Sequence, residues 1–506
     1  MENWNDGDME FLGRKFSDSE LVIGLVGAVG TELDKVATLI KNRLDFYGYK
    51  TEGIRFSMDV ISLVSQVTQD QKEDEFCRIN SMMNAGNEAR KNSRDNSILA
   101  IGAASIIGTY RKSKKENQVI PKQAFVLNSL KHPDEVVRLR EIYSDGFYLI
   151  GVYTDELRRL NYLVKNKRMD KTRAKDLIQR DEDEHLSYGQ RVRDTYHLSD
   201  FFLYMDPKED VSKNGIKRFF DILFGYPYQT PTFDEFAMFM AFSASLRSAD
   251  LSRQVGAVLA RNDEILSIGA NDCPRYGGGL YWPHDDPDKS GIVDHHGGRD
   301  YTRQGDSNAL EKEKMIQEIL DGVADVESFP IKLKEVLLRS RLMDITEFGR
   351  VVHAEMEAIL ACARNQTCPQ GATLYCTTFP CHNCAKHIVA AGIKRVVYVE
   401  PYPKSKALEF HDDSICFGPS NNKNLVGFEP FVGVGPRRFF DMFSMHLSSG
   451  NPMIRKNETG RVIKWTPDQA KLRIQMLPSS YINRETMVAS IFSNYKNQAG
   501  ENHGKL

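Results

Sequence analysis

The sequence has little of three things that would each narrow its class: cysteine, long apolar runs and net charge. Eight cysteines in 506 residues are too few for a disulfide scaffold. No stretch reaches the roughly 18 uninterrupted apolar residues that span a bilayer, and the acidic N-terminus lacks the basic start of a signal peptide. Lys+Arg total 67 and Asp+Glu 69, so a net charge of -2 gives no bulk attraction to nucleic acid. These absences predict a cytoplasmic protein without a membrane segment, and its length predicts about two to four domains.

The first half of the chain alternates short apolar runs with charged amphipathic segments. Such alternation predicts a parallel α/β sheet. A stretch with two prolines and two tyrosines, 225–232, is the predicted linker, and the C-terminal region predicts one helix, 467–477. The predicted strands are 21–26, 124–127, 147–153 and 198–205, followed after the linker by a hairpin of 255–259 with 264–268.

The residues suited to chemistry concentrate in the second half. His353 and Glu355 lie in a predicted helix, while Cys381 and Cys384 follow the predicted strand 372–377. Because the two cysteines are three residues apart, both sulfurs can face one point from the first turn of a helix. One histidine and two cysteines supply three tetrahedral zinc ligands and leave the fourth position for water, as catalytic sites do. A redox or structural-zinc pair is the alternative that Cys-x-x-Cys alone would leave open.

The spacing His-x-Glu followed by Pro-Cys-x-x-Cys is the signature of zinc nucleobase deaminases. Zinc lowers the pKa of a bound water toward neutrality, and the resulting hydroxide adds to an amine-bearing ring carbon. Glu355 stands two residues beyond His353 and is therefore the predicted proton shuttle rather than a ligand. The sequence thus predicts a zinc-dependent deaminase in which His353, Cys381 and Cys384 bind the metal and Glu355 is catalytic.

Two stretches, 241–271 and 353–402, resemble deoxycytidylate deaminases. The first contains RSAD, RQVGAV and IGAN, and the second contains LYCTTFPC and AGIKRVVY. The resemblance implies that Asn271 contacts the sugar of the substrate and that Thr378 and Phe379 line the base pocket. A turn residue in a glycine-rich loop is the alternative interpretation of Asn271.

The whole chain is similar to the anti-phage dCTP deaminases, a group of two-domain bacterial proteins. The resemblance implies an N-terminal P-loop-kinase-like domain with a parallel sheet, residues 1–228, and a C-terminal cytidine-deaminase-like domain of three α/β/α layers, residues 229–506. It also implies conversion of dCTP or dCMP to uracil nucleotides, which depletes dCTP during infection. The run 399–406 fits this group, and its Lys404 and Lys406 are candidate phosphate contacts. A solvated surface loop explains the two lysines equally well.

A glycine-rich segment near the N-terminus is a candidate nucleotide site. Gly24, Gly27, Gly30 and Thr31 follow a predicted strand and open a predicted helix, the context of a phosphate-binding loop. The segment departs from G-x-x-x-x-G-K-[ST] because it is one residue longer and no lysine precedes Thr31. The missing lysine disfavours phosphoryl transfer. Nucleotide sensing, a scaffold role and an active kinase are the three interpretations of this degenerate Walker A loop.

Partners are predicted from resemblance and from clusters of charge. Deoxycytidylate deaminases imply a homo-oligomer, with a hexamer favoured, and part of the related group implies a small regulatory RNA. Basic positions suited to RNA are Lys165, Lys167, Arg168, Lys171, Arg173 and Lys175. A solvated helix face is the alternative interpretation of these residues.

A long loop in the second half raises the question of a second zinc. Its candidate ligands are Cys273, His284, His295 and His296, but their spacing is loose and aspartates intervene. Three competing functions stay open at this point: a housekeeping dCMP deaminase, a deaminase of bases in RNA or DNA, and a catalytically idle nucleotide-binding regulator. The first shares the predicted chemistry, the second needs a basic groove with stacking aromatic residues, and the third leaves the zinc ligands unexplained.

Overall fold

The computed structural model describes most of the chain. The described residues are 18–65, 74–115, 118–182, 184, 186–205, 209–288, 291–322, 329–345, 347–402, 404–418, 424–446, 451–474, 476 and 478–503. The acidic N-terminus used for the localisation prediction, and Pro403 of the run 399–406, lie outside them. Among the described helices, none combines the length and the apolar character needed to cross a membrane. Unit 1 is Met1–Pro231 together with Val432–Leu506, and unit 2 is Thr232–Phe431.

The strands and helices are numbered in chain order. The strands are β1 (Leu21–Gly27), β2 (Lys50–Arg55), β3 (Gln123–Asn128), β4 (Phe147–Tyr153), β5 (Phe201–Tyr204), β6 (Gly256–Arg261), β7 (Glu264–Ala270), β8 (His284–Asp286), β9 (Gly291–Val293), β10 (Thr373–Thr378), β11 (Arg395–Glu400), β12 (Ile415–Phe417), β13 (Val426–Pro430) and β14 (Gly433–Val434). The α-helices are α1 (Leu33–Phe46), α2 (Glu75–Ser93), α3 (Ile98–Lys115), α4 (Pro133–Tyr143), α5 (Glu156–Lys165), α6 (Lys171–Glu182), α7 (Val192–Tyr196), α8 (Glu209–Leu223), α9 (Phe233–Ser245), α10 (Ser307–Asp321), α11 (Phe329–Leu338), α12 (Ala354–Arg364), α13 (His382–Ala390), α14 (Ala407–Phe410), α15 (Phe439–Phe443) and α16 (Pro478–His503). Single turns of 3-10 or π helix occupy Phe56–Val60, Ile61–Leu63, Ser144–Gly146, Asp300–Arg303, Arg341–Asp344, Pro436–Arg438 and Pro467–Gln469.

Unit 1 is built on a six-stranded sheet in the order β14-β5-β4-β1-β3-β2. The strands from β1 to β5 are parallel to their neighbours, and β14 is antiparallel to β5. Parallel strands are covered by helices on both faces, so they consist of nearly continuous apolar residues. This explains why the apolar runs of β1 and β4 are buried along almost their whole length. The predicted parallel α/β sheet is therefore confirmed.

The C-terminal segment 432–506 belongs to unit 1 and not to the predicted second domain of residues 229–506. β14 extends the sheet of unit 1 by pairing with β5. Glu485 of α16 contacts the guanidinium of Arg111 in α3, which also binds Glu20 at 2.7 Å. All three charges are buried, and removing one partner of such a group leaves an uncompensated charge. A sheet pairing and a buried ion triad therefore hold this segment in unit 1.

Unit 2 contains a sheet in the order β12-β13-β11-β10-β6-β7. β6 and β7 form the predicted antiparallel hairpin, with Asn262 and Asp263 at its turn at φ values of 54° and 59°. Two consecutive positive φ values suit the tight turns that match the twist of a hairpin. β10, β11, β13 and β12 run parallel in that order, and β8 and β9 form a small separate hairpin.

Two helices of unit 2 approach this hairpin so closely that only glycine fits beneath them. A Cβ atom on Gly256 would lie 1.8 Å from the carbonyl oxygen of Ala241 in α9. A Cβ atom on Gly269 would lie 2.1 Å from the carbonyl oxygen of Ala354 in α12. Because α12 begins directly after His353, this close packing fixes the position of that side chain relative to the sheet.

Candidate active site

Three metal-binding side chains come together where α12 and α13 begin. His353 directly precedes α12, Cys381 is the N-cap of α13, and Cys384 lies in its first turn. The Nδ1 atom of His353 is 3.4 Å from the sulfur of Cys381 and 3.3 Å from that of Cys384. These three ligand atoms lie within 4.8 Å of one another, and the described residues contain no second group of three or more metal-binding side chains of this kind.

This donor set fits a zinc ion. Nitrogen and sulfur ligands about 2.0 to 2.3 Å from a tetrahedral zinc lie roughly 3.5 Å from each other, close to the distances observed between the His353 nitrogen and the two sulfurs. Both cysteines are free of disulfides. With three protein ligands, a fourth position remains for water or substrate, the pattern of catalytic zinc sites.

The three side chains also set each other's protonation. Hydrogen bonding from Cys384, and then from His353, lowers the pKa of Cys381 to about 4. The hydrogen bond with Cys381 raises the pKa of His353 to about 9, in opposition to burial. Because the thiolate is the form of cysteine that binds metals, the low pKa suits Cys381 as a ligand, whereas the hydrogen bond with Cys381, and then burial, raise the pKa of Cys384.

Glu355 is the buried acid of this site. It lies in the first turn of α12 and lines the same cavity as His353. Burial raises the pKa of Glu355 above its ordinary value, which suits a carboxyl group that takes up and releases protons. Glu357, the other acid of this turn, contacts Arg364 instead and does not line the cavity. Of the two acids, Glu355 is therefore the one placed for chemistry.

The cavity beside these residues has a volume of about 320 Å³ and lies within unit 2. Its walls include Thr378 and Phe379, the two residues that the resemblance implied for the base pocket. The Thr378 hydroxyl donates to Glu400 at 3.2 Å, and the Phe379 ring packs edge-on against Tyr398 with centroids 4.9 Å apart. A cavity of this size and mixed polarity encloses one small ligand.

Asn271 also lines the cavity, and its side-chain amide makes two hydrogen bonds with the neighbouring loop. Its Oδ1 accepts from the backbone N–H of Val255 at 2.7 Å, and its Nδ2 donates to the carbonyl of Arg253 at 2.9 Å. These two bonds fix the backbone of residues 253–255 at the cavity wall. Asn271 thereby orients this wall, in addition to the predicted contact with the sugar.

The cations at the cavity differ from those proposed from the sequence. Neither Lys404 nor Lys406 lines it, and Lys406 binds Glu409 at 2.6 Å. Arg253 and Lys312 line it instead. Arg253 was visible in the motif RQVGAV without an assigned role. Lys312 comes from α10, in a region where the sequence carries no motif that indicates the site.

The four residues proposed for a second zinc do not converge on a metal. The Cys273 thiol contacts Asp300 at 3.6 Å, and burial raises its pKa to about 11. The rings of His284 and His295 stack with centroids 4.2 Å apart. His296 joins no group of three candidate ligands within the described part of the chain.

The glycine-rich segment of unit 1 divides into two parts. Gly24 lies inside β1, where a Cβ atom would come within 2.9 Å of the Phe147 ring, so it serves sheet packing. Gly27, Gly30 and Thr31 line a second cavity, which lies within unit 1.

Two of the basic positions predicted for RNA form ion pairs with α2 or its N-cap. Lys167 binds Glu75 at 3.0 Å, and Arg173 binds Asp74 at 2.9 Å. Two of the six basic side chains predicted to contact RNA are therefore paired with acids of unit 1.

Comparison with known proteins identifies the family of unit 2. Residues 231–400 match the cytidine and deoxycytidylate deaminase zinc-binding region. The deoxycytidylate deaminase of Enterobacteria phage T2 is 33% identical over 170 residues, which are 33% of this chain and 79% of that protein. The Saccharomyces cerevisiae deoxycytidylate deaminase is 27% identical over 176 residues, 35% of this chain and 40% of that protein. The crystal structure of a dCMP deaminase from cyanophage S-TIM5 aligns with 40% of this chain and 99% of its own, at 18% identity and a TM-score of 0.22.

The matched region includes the three converging ligands and Glu355, and the alignment spans most of the phage T2 protein. The chain therefore belongs to the cytidine and deoxycytidylate deaminase family, with zinc as its cofactor.

Proposed function

We propose that the protein hydrolyses the exocyclic amine of deoxycytidine nucleotides, converting dCTP or dCMP and water to the uracil nucleotide and ammonia. The placement of the buried Glu355 in one cavity with His353 and Cys381 carries this proposal. A proton shuttle and a zinc site facing the same ligand-sized space are the parts that nucleobase deamination requires. The names of the phage T2 and yeast relatives, both deoxycytidylate deaminases, support a deoxycytidine nucleotide as the substrate.

The residues of the chain have distinct roles in the proposed reaction. His353, Cys381 and Cys384 would hold the zinc ion, which when bound would make a water acidic enough to act as a nucleophile near neutral pH. Glu355 accepts one proton of the water as the water oxygen bonds to C4, and it delivers that proton to N3 of the cytosine ring. Glu355 then transfers the second proton of that water to the amine. The bond between C4 and nitrogen breaks, ammonia leaves and a C4 carbonyl remains.

The other wall residues position the substrate. Phe379 and Thr378 flank the base, and burial of this part of the cavity excludes bulk water, which strengthens the electrostatic interactions within it. Arg253 and Lys312 are the cations that face the cavity, and charge-assisted hydrogen bonds from such groups hold phosphate oxygens. Arg253 lies over the Tyr402 ring at 5.3 Å, which restrains its guanidinium.

We further propose that the reaction serves defence against phage by depleting dCTP. The resemblance of the whole chain to anti-phage dCTP deaminases supports this role, as does a second α/β unit beyond the family region of residues 231–400. By the same resemblance, unit 1 is a P-loop-kinase-like domain and the protein is a homo-oligomer in the cytoplasm. A housekeeping dCMP deaminase is the competing function, favoured by the names of the relatives.

Incubation of the purified zinc-loaded protein with each cytosine compound tests the reaction. Deoxycytidine, dCMP, dCDP, dCTP, CTP and a cytosine-containing DNA oligonucleotide are compared by ammonia release and by chromatography of the product. We expect turnover of dCTP or dCMP, with at least tenfold lower kcat/KM for the nucleoside because it lacks phosphates for Arg253 and Lys312. Turnover of the oligonucleotide alone, or of none of the compounds, would overturn the proposal.

A cellular experiment separates defence from housekeeping. Cells that contain either the native protein or its Glu355→Gln variant are infected with phage, and nucleotide pools are measured over the infection. We expect dCTP to fall only with the native protein. A dCTP pool that stays level after infection, in cells whose protein deaminates dCMP in vitro, would assign the housekeeping function instead.

A further inference from the structure

Unit 1 contains a cavity of about 560 Å³ at the end of its parallel sheet. It is lined by the loop after β1, by residues that follow β2 and β3, and by α2. Ligands of open α/β sheets bind outside the carboxyl ends of the strands, where this cavity lies. Its volume is within the range that takes a nucleotide-sized ligand. None of its lining residues belongs to the deaminase site.

A buried arginine on the wall keeps a free hydrogen-bond donor that suits an anionic ligand. Arg90 of α2 lines the cavity and is 2% exposed. Its Nη2 binds Glu135 at 2.8 Å, whereas its Nε has no hydrogen-bond partner among the described residues. A buried donor without an acceptor costs free energy, which an oxygen of a ligand would recover. The wall carries six cationic side chains and three acidic ones, namely Lys35, Arg55, Arg78, Arg90, Lys131 and Lys167 against Glu32, Asp34 and Glu75. Each of the six cations forms an ion pair, Arg90 and Lys131 with acids outside the wall, so a bound anion would have to share or replace these partners.

Lys131 brings an ammonium group to the glycine-rich loop, which lacks a lysine of its own. It follows β3, the strand next to β1, and its Nζ lies 3.2 Å from the carbonyl oxygen of Gly27. A lysine at this place can meet a phosphate bound to the loop, as the lysine within a complete Walker A motif does. The neighbouring strand therefore supplies the cation that the loop sequence lacks.

A carboxylate of the same chain currently occupies these donors. Asp181 of α6 is fully buried, accepts from the backbone N–H of Val29 at 2.6 Å, and binds Lys131 at 2.8 Å. Backbone N–H groups of such a loop, with a nearby lysine, are the donors that bind phosphate in nucleotide-binding folds. The Asp181 carboxylate does not itself line the cavity, but it holds a loop N–H and an ammonium group that a bound phosphate would need.

We propose that the cavity of unit 1 binds a nucleoside phosphate, whose phosphate displaces Asp181 from the Val29 N–H and from Lys131. Apolar side chains at the other wall of the cavity, among them Ile61, Met82 and Leu99, contact the base. Binding requires no phosphoryl transfer and does not depend on the proposed deamination. Because a ligand must compete with a buried carboxylate, only a group with more charge or more hydrogen bonds than a carboxylate binds well.

Titration calorimetry on the full-length Glu355→Gln protein tests this proposal without substrate turnover. The titrants are ATP, GTP, dTTP, dTMP and inorganic phosphate, none of which contains cytosine. We expect at least one nucleotide to bind with a dissociation constant below 1 mM, at least tenfold more tightly than inorganic phosphate. Absence of such binding by every nucleotide, or equal binding of inorganic phosphate, would overturn the proposal.

Variants in the same background locate the bound nucleotide. Lys131→Met should weaken binding at least tenfold, while Lys131→Arg, which keeps the cation, should stay within threefold. Asp181→Asn should tighten binding at least threefold because the competing charge is gone. Lys122→Met is the matched control, since Lys122 is a half-exposed lysine of unit 1 outside the cavity wall.

Two outcomes contradict the proposed site. Binding that survives Lys131→Met but is lost in Arg253→Met would place the nucleotide in the deaminase cavity. Unchanged or weaker binding in Asp181→Asn would show that the carboxylate does not compete with the ligand. Thermal unfolding of each variant identifies a folding defect, and the Lys131→Arg result separates loss of charge from loss of structure. Failure of the deamination assay leaves all of these binding measurements intact.

Discussion

Helix α13 of unit 2 and helix α1 of unit 1 both begin shortly after a buried strand of their own sheet, β10 and β1. At α13, the sulfurs of Cys381 and Cys384 lie 3.4 and 3.3 Å from Nδ1 of His353, so the three ligand atoms can share one metal ion. At α1, the N–H of Val29 in the preceding loop already binds Asp181. The side chains at the start of α13 are therefore those of a metal site. The N–H in the loop before α1 instead has a hydrogen-bond acceptor from the same chain.

The difference explains how much each site depends on its ligand. Two thiols and an imidazole held close together gain most of their interaction energy from a metal, and zinc binding at such sites is strong. A loop whose donor is satisfied by a buried carboxylate is stable without a ligand, so a nucleotide there must exchange one set of bonds for another. We expect zinc to be permanent and the ligand of unit 1 to be exchangeable.

Loss of one zinc ligand should have the largest effect. Cys384→Ala removes a thiolate from a three-ligand site, so we expect zinc to fall from about one ion per chain to less than a tenth and deamination to become undetectable. The measurements are metal analysis after gel filtration and ammonia release from dCTP and dCMP. Cys362→Ala is the matched control, because that buried thiol contacts Ser267 rather than the metal site. A Cys384→Ala protein that retained a full equivalent of zinc would contradict the ligand assignment.

Loss of the proton shuttle should have the next largest effect. We expect Glu355→Gln to lower kcat by about 10² to 10⁴-fold, the usual contribution of a positioned acid-base group, with zinc content unchanged. Glu357 lies two residues from Glu355 in the same helical turn. Glu357→Gln removes the ion pair with Arg364 and should change kcat less than fivefold. Steady-state kinetics with parallel metal analysis checks both. Equal losses in the two variants would mean that α12 rather than the Glu355 carboxyl is what the reaction needs.

A smaller effect distinguishes two positions for the substrate phosphate. Arg253→Met should raise KM for the nucleotide about tenfold, because one charge-assisted hydrogen bond at a partly exposed site is lost, while kcat changes less. Lys406→Met removes a lysine that binds Glu409 outside the cavity, so we expect KM within a factor of two. The reverse order of the two KM values would place the phosphate at the loop after β11, where the sequence predicts the contacts of Lys404 and Lys406.

The features that could be predicted from the sequence are those that depend on residues close together in the chain. The spacing of Cys381 and Cys384 on one helical turn, and the alternation that produced β1, β3, β4 and β5, need only short-range regularity. The hairpin of β6 and β7 was predicted for the same reason. His353 was identified through a known spacing motif, although 28 residues separate it from Cys381.

Contacts between segments far apart in the chain could not be predicted from such patterns. The segment 432–474 contributes a two-residue strand, too short to show alternation. The predicted helix 467–477 is wrong over its described residues 467–474 and 476, apart from the turn Pro467–Gln469. In this stretch Leu472 and Ile474 are buried and Arg473 donates its N–H to Leu223, so tertiary packing overrides helix propensity. The approach of Lys131 and Asp181 to the glycine-rich loop likewise depends on the order of strands and helices in space, which spacing along the chain does not contain.

The smallest effect tests how tightly the loop of unit 1 is held. Gly30 has a φ of 86°, and a Cβ atom there would lie 2.9 Å from the backbone oxygen of Arg159. Gly48 has a similar φ of 76°, but its nearest neighbours are side-chain atoms of Lys122 at 3.7 Å. Alanine at either position costs about 1 kcal/mol for the left-handed backbone, and only Gly30→Ala adds a clash with a main-chain atom, about 1 kcal/mol more.

We therefore expect a larger loss of stability for Gly30→Ala in urea unfolding of unit 1, together with weaker nucleotide binding. Zinc content and deamination should be equal in the two variants, since every ligand of the metal lies in unit 2. Equal stability of the two proteins would mean that the loop moves away from Arg159 at little cost, and that its donors are held less rigidly than the thiolates at α13.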